Sequence, residues 1–180
     1  MNPLGKTVKS SASRSKRVRP TTGKVKEALF NILQGRTDGT IFLDLYAGTG
    51  AVGIEALRQG AAEAVFIEAS KGCSQGIQKL IAQNGLINKS RIIMKRVLPF
   101  IEWAERSEMS FDIIFLDPPY HTDEIRTVLS ALGKSHIVRQ KGLVIAEHFK
   151  KRHLPERFGK LQKIRDYTYG DSVLTLYGSS

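Results

Sequence analysis

The sequence predicts an α/β fold in which a mostly parallel sheet is wrapped by helices on both faces. Three observations carry that prediction: five short apolar runs of strand character, helix-length segments between them, and two further strand-like runs at the C-terminus separated only by Gly170 and Asp171. Strand alternating with helix makes successive strands parallel, because each helix carries the chain back across the sheet. A two-residue glycine turn instead joins antiparallel neighbours, so the sheet gains an antiparallel edge.

The elements follow in order. Residues 1–18 form a basic, Ser-rich stretch expected to be a flexible arm, and residues 19–180 a single domain. Pro20 separates the arm from a helix that starts at Thr21. Thr22 can cap it, and Val25, Ala28, Leu29, Ile32 and Leu33 recur at the spacing of one buried face. The strands are IFLDLYA (41–47), AVFIEA (64–69), RIIMKRV (91–97), FDIIFLD (111–117) and GLVIAEH (142–148). Such continuous apolar runs suit strands covered on both faces. Helices are expected near 51–59, 71–84, 98–107 and 122–135, and LQKIRDYTY with SVLTLYG supplies the hairpin. Phe100 and Trp103 lie one turn apart, which is core spacing.

Charge is concentrated at the two ends. The net charge is +11, and Lys6, Lys9, Arg14, Lys16, Arg17, Arg19, Lys24 and Lys26 all precede the first acid, Glu27. From Arg139 to Arg165 nine Lys/Arg face only Glu147 and Glu156, while residues 27–138 hold 11 Lys/Arg against 13 Asp/Glu. Two basic runs flanking a near-neutral body suit a polyanion such as nucleic acid, although solvated surface shows the same composition. Cys73, the only cysteine, permits no internal disulfide and no thiolate cluster. The four histidines lack metal-ligand spacing, and no apolar stretch approaches the roughly 20 residues that span a bilayer. No metal and no membrane association are expected, and the protein is expected in the cytoplasm. An organelle transit peptide is the other reading of the basic N-terminus.

The first strand runs into DLYAGTGAVG, where Gly48, Gly50 and Gly53 satisfy GxGxxG and Glu68 follows at the end of the second strand. Glycines here let backbone approach a ligand, and the acid suits ribose hydroxyls, as in dinucleotide sites. Asp44, four residues before Gly48, argues against NAD, because a carboxylate at that loop repels a pyrophosphate. S-adenosylmethionine has the same adenosine, no phosphate, and a sulfonium and an ammonium that a carboxylate attracts.

The fourth strand ends in Asp117, Pro118, Pro119 and Tyr120. Two prolines stop a strand and leave carbonyls without local partners, so DPPY is either a plain strand stop or a built site. Ligands of such sheets lie beyond the carboxyl ends of the strands, where strand order reverses. DPPY beside the glycine loop would offer a carboxylate, a proline carbonyl and a ring face, a grip for the planar exocyclic amine of adenine, cytosine or guanine. The amine lone pair is delocalised into the base, and two acceptors on its N–H bonds would return it to the nitrogen. His121 reads as a polar loop residue.

These residues carry a family resemblance. DLYAGTGAVGIEAL, FIEAS and FDIIFLDPPY resemble motifs of class I S-adenosylmethionine-dependent amino-methyltransferases. With RPTTGKVKEALFNIL at 19–33 and the terminal YGDSVLTLY, the chain resembles the RsmD-type 16S ribosomal RNA guanine-N2 methyltransferases. The resemblance implies a Rossmann-like class I fold with a seven-stranded sheet. It implies S-adenosylmethionine bound by Asp44, Ala47, Gly48, Thr49, Gly50, Glu68 and Ala69, with catalysis by Asp117, Pro118, Pro119 and Tyr120. Arg17, Arg19, Pro20, Thr21 and Tyr120 would meet the substrate, 16S rRNA in the small ribosomal subunit or an assembly intermediate, and the enzyme would act as a monomer. One departure is LysArgVal at 95–97, where similar enzymes carry an acid for the adenine.

Three other readings remain: an adenine-N6 methyltransferase of DNA or RNA, which shares DPPY, a catalytically silent RNA-binding module using the basic ends, and an NAD oxidoreductase. If the arm grips RNA, charge reversal within residues 14–19 weakens RNA binding and flattens its dependence on salt. Binding isotherms across a salt series measure that slope, and unchanged slopes remove the arm from the interface.

Overall fold

The computed structural model describes residues 23–180. The arm, the expected cap Thr22, and Arg17, Arg19, Pro20 and Thr21 lie outside the described residues. The first described element is α1 (Gly23–Ile32), which buries Val25, Ala28 and Leu29, with Leu33 buried just beyond it. Then β1 (Ile41–Leu45), α2 (Ala51–Arg58), β2 (Glu63–Ile67), α3 (Lys71–Gln83), β3 (Ser90–Ile93), α4 (Val97–Arg106), β4 (Phe111–Leu116), α5 (Glu124–Lys134) and β5 (Val138–Phe149) alternate as expected. A two-residue β6 (Arg157–Phe158) precedes the hairpin of β7 (Leu161–Tyr169) and β8 (Ser172–Ser179).

The eight strands of the described residues form one sheet in the order β3-β2-β1-β4-β5-β8-β7-β6. The expected count of seven is corrected by β6, a short edge segment that pairs Arg157 with Gln162 and Phe158 with Leu161. Strand three is also shorter than expected. It ends at Ile93, because Val97 is buried as the first residue of α4 and its chain must leave the sheet before then. The antiparallel hairpin is as read: Tyr169 pairs Ser172 across Gly170 and Asp171, and Gly170 takes φ 61°, a backbone region open to glycine.

Strand order reverses between β1 and β4, which pair in parallel from Phe42 opposite Ile113 to Leu45 opposite Leu116. Helices α1, α2 and α3 cover one face of the sheet, packing on Phe42, Phe66, Phe115, Ile145 and Leu174. The opposite face holds α4 and α5 on Leu43, Val65, Ile114, Val144 and Tyr177. Phe100 is fully buried there and its ring lies 6.0 Å from that of Trp103, so both serve the core. At the end of the sheet remote from the glycine loop, the Asp112 carboxylate accepts from the Ile41 N–H at 2.8 Å and from Arg139 at 2.7 Å, tying together the starts of three strands.

Close contact between α2 and the sheet depends on Gly53, where a Cβ would stand 2.3 Å from the Phe66 ring. Gly53→Ala is therefore expected to cost about 1–3 kcal/mol through overpacking, seen as a lower urea midpoint. Gly76, in α3 with open space around its Cα, is the contrasting site, and Gly76→Ala is expected to stabilise by about 0.5–1 kcal/mol.

Candidate active site

The glycine loop begins where β1 ends. Tyr46 and Gly48 both have positive φ, at 64° and 55°, and turn the chain upward from the sheet. Ala47 is held from both sides: its N–H donates to the Ile67 carbonyl at 3.0 Å, and its carbonyl accepts the Gly50 N–H at 2.7 Å. Gly50 caps α2 in the left-handed region at φ 77°, and a Cβ there would press on Ile77 at 3.0 Å. These contacts leave Thr49 exposed at the loop tip beside the partly buried Gly48.

Two carboxylates hold this loop. Asp44 is only 2% exposed and lies beneath the loop, where its Oδ2 accepts the Gly53 N–H at 3.0 Å. Glu68, just past β2, accepts the Gly48 N–H at 2.9 Å through Oε2 and the Ser70 N–H at 2.7 Å through Oε1. Among the described residues neither carboxylate has an ion-pair partner. Burial pushes the Asp44 carboxyl up to about 7, the Gly53 N–H opposes the rise, and the Glu68 charge adds to it. Ala69 is exposed next to Glu68, and the Cys73 N–H donates to the Ser70 hydroxyl that caps α3.

The register of β1 on β4 sets Asp117 beside Tyr46, one step past the pair Leu45–Leu116. Asp117 is half-buried, Pro118 is buried, and Pro119 is exposed. The Thr122 hydroxyl and N–H both donate to the Pro119 carbonyl, at 3.1 and 3.3 Å. That carbonyl is engaged within the turn, so of the two proline carbonyls it is Pro118's that can receive a further donor. Tyr120 is anchored away from the turn: its hydroxyl donates to Glu147 Oε1 at 3.1 Å, and the Ser172 hydroxyl donates to the same oxygen at 3.1 Å. Burial raises the Tyr120 hydroxyl to about 12, the Ser172 hydrogen bond opposes the rise, and the Glu147 and Asp117 charges add to it. Arg152 secures the segment from outside, donating to the Tyr120 carbonyl at 3.1 Å and pairing with Asp123 at 3.2 Å.

The sequence profile of the family described as conserved hypothetical protein 95 matches residues 5–178. Over 173 residues the chain is 32% identical to the putative rRNA methyltransferase YlbH of Bacillus subtilis, covering 96% of this chain and 93% of that protein. The chain belongs to the RsmD-type methyltransferase family. Another relative is the ribosomal RNA small subunit methyltransferase D of Escherichia coli K12, 29% identical over 160 residues, 89% of this chain and 79% of that one. Among solved structures, the putative methyltransferase yhhF from Escherichia coli superposes with a TM-score of 0.79 at 26% identity, covering 90% of this chain and 88% of that chain.

For this RsmD-type enzyme the structure brings the glycine loop, Glu68 and the DPPY turn to one end of the sheet. Four contributors escaped sequence reading: Tyr46, Glu147, Ser172 and Arg152. Tyr46 combines a left-handed backbone with a buried hydroxyl that finds no partner at hydrogen-bond geometry among the described residues. Burial first, and then the nearby Glu124 carboxylate, push that hydroxyl well above the ordinary phenol range. An acid in an otherwise apolar strand was the available signal for Glu147. Nothing in the local pattern marked the others.

Asp44 also dictates a pH dependence. Its carboxyl holds a proton up to about pH 7 in the fold, against 3.8 for the ordinary group. Ionisation therefore favours the unfolded chain, and the residue's contribution to stability is lost as pH rises from about 3.8 to 7. Urea midpoints across that range are expected to fall more steeply for the native protein than for Asp44→Asn. Identical slopes would show that Asp44 does not titrate there.

Proposed function

We propose that this enzyme transfers the methyl group of S-adenosylmethionine to the exocyclic N2 amine of a guanine in 16S rRNA, within the small ribosomal subunit or an assembly intermediate. The observation that carries the reading is the juxtaposition, across β1 and β4, of a carboxylate-lined glycine loop and an Asp-Pro-Pro-Tyr turn. Family membership supports the reaction class, and the names of YlbH and the Escherichia coli relative support ribosomal RNA as the substrate.

The residues present fit the cofactor. Glu68 and Asp44 place two carboxyl groups at the loop with no cation beside them among the described residues. The Asp44 proton, held up to about pH 7 by burial, is released more readily beside a bound cation than beside a pyrophosphate. Asp44, Ala47, Gly48, Thr49, Gly50, Glu68 and Ala69 would hold it, the glycines by leaving the backbone open to close approach. When bound, S-adenosylmethionine supplies an electrophilic methyl group on a sulfonium.

The chain's own part is positioning and proton transfer. The Asp117 carboxylate and the Pro118 carbonyl accept the two N–H bonds of the amine, returning its lone pair to the nitrogen. Tyr120, its hydroxyl fixed on Glu147, presents a ring on which the base plane stacks. Asp117 then takes the proton that the methylated amine releases. A base in a helix cannot enter this turn, so the guanine is unpaired or flipped. Arg17, Arg19, Pro20 and Thr21 would contact the same RNA.

Incubation with labelled S-adenosylmethionine and small subunits lacking the modification is expected to place label on one guanine N2, and absence of transfer to every subunit form overturns the reading. Asp117→Ala is expected to lower turnover by about 10²–10⁴-fold with cofactor affinity retained. Asp44→Ala is expected to weaken cofactor binding first, measured by calorimetry. Methylation of adenine in duplex DNA in the same assay would favour the adenine-N6 reading instead.

A further inference from the structure

The antiparallel part of the sheet, β5 with the hairpin, carries a row of aromatic side chains that the proposed reaction does not use. In the sheet, Phe149 of β5 pairs Ser172 of β8, and Ser172 pairs Tyr169 of β7. Directly opposed residues share a face of a sheet, so Phe149 and Tyr169 flank Ser172 on one side. One step inward on that side stand Glu147, Leu174 and Tyr167, and one step further Ile145, Leu176 and Arg165. Phe149 is 38% exposed and Tyr169 37%, although both are large rings on a sheet surface.

Three features say what covers them. The row is continuous with the amine clamp, because the oxygen of Glu147 that receives the Tyr120 hydroxyl also receives the hydroxyl of Ser172, the residue between the two rings. The surroundings are cationic: the Arg165 guanidinium lies 5.3 Å from the centre of the Tyr167 ring, and Lys151 is exposed two residues past Phe149. Among the described residues neither of these cations is paired with a carboxylate, whereas neighbouring Lys150 is paired with Asp171 at 2.7 Å. Aromatic faces beside unpaired cations are the surface that single-stranded nucleic acid takes, rings for bases and cations for phosphates.

We propose that Phe149 and Tyr169 form a stacking platform for an unpaired nucleotide that neighbours the target guanine, with Arg165 and Lys151 holding its phosphates. The platform rests on the RNA-methylating reading of the adjacent turn and deepens it. It requires the strand around the target to be unpaired beyond the guanine itself, and it makes the antiparallel hairpin part of substrate selection.

The test measures binding of protein-free 16S RNA and methyl transfer to unmodified small subunits, for Phe149→Ala, Tyr169→Ala and the ring-preserving Phe149→Trp and Tyr169→Phe. Each Ala variant is expected to weaken RNA binding by about 5- to 150-fold, the range for loss of one base–aromatic stack. The slope of log affinity against log salt stays unchanged, since no phosphate contact is lost. KM rises in the transfer assay while S-adenosylmethionine affinity holds, and the ring-preserving variants restore native behaviour. Lys151→Gln, by contrast, lowers the salt slope by about one.

Native affinity for RNA in both Ala variants overturns the proposal. Native RNA binding together with lost transfer to assembled subunits also overturns it, and assigns the face to a ribosomal protein. If the native enzyme binds RNA but methylates no subunit, the reaction reading fails, while the RNA-binding comparison still decides the platform. A loss of folding on truncation is recognised by Phe149→Leu and Tyr169→Leu, which keep apolar bulk and are expected to fold yet bind as weakly as the Ala forms. Folded Leu variants with native affinity overturn the proposal.

Discussion

The parallel pairing of β1 with β4 is the contact on which the site depends. These two strands stand where the sheet order reverses, so the helices that follow them leave on opposite faces, α2 on one and α5 on the other. The space between the departing chains is open by construction of the fold. Register then decides what lines it: with Leu45 opposite Leu116, the glycine loop and the Asp-Pro-Pro-Tyr turn begin side by side. A slip of one residue would turn Asp44 and Asp117 toward the opposite faces of the sheet.

Electrostatics divides the molecule in a related way. Asp44, Glu68, Asp117 and Glu147 all lie at or just past the ends of the four strands β1, β2, β4 and β5. Each is placed by hydrogen bonds or by its neighbours in the sheet, and Asp44 is buried deeply enough to resist ionisation. Four acidic side chains are thus gathered within a crevice on a protein of net charge +11. The interior of the crevice favours a cation and hydrogen-bond donors, and the basic surroundings favour a polyanion. A methyl donor with a positive sulfur and an amine on a nucleic acid satisfy both at once.

Much of the fold was legible because its signals are local. Apolar runs such as FDIIFL are too short for helices and too apolar for a surface, and Gly170–Asp171 specifies its turn without help from distant residues. The errors came where a local pattern met a distant demand. The segment RIIMKRV reads as one strand to Val97, yet β3 stops at Ile93 because Val97 starts the next helix against the core. The edge strand β6 is two residues long, too short to leave a pattern, and exists only because β7 lies beside it.

For the site, the sequence by itself determined the chemical inventory. The glycines, Asp44, Glu68 and the Asp-Pro-Pro-Tyr run follow from spacing along one chain, and with them the prediction of a cationic donor facing an amine. Only the tertiary structure decided how those groups are held. It put Asp44 beneath the loop on the Gly53 N–H, engaged the Pro119 carbonyl within its turn, and fixed Tyr120 through Glu147 and Ser172. The physical reason is that hydrogen bonds and cross-strand neighbours join residues far apart in the chain, while periodicity and spacing report only on residues that are near.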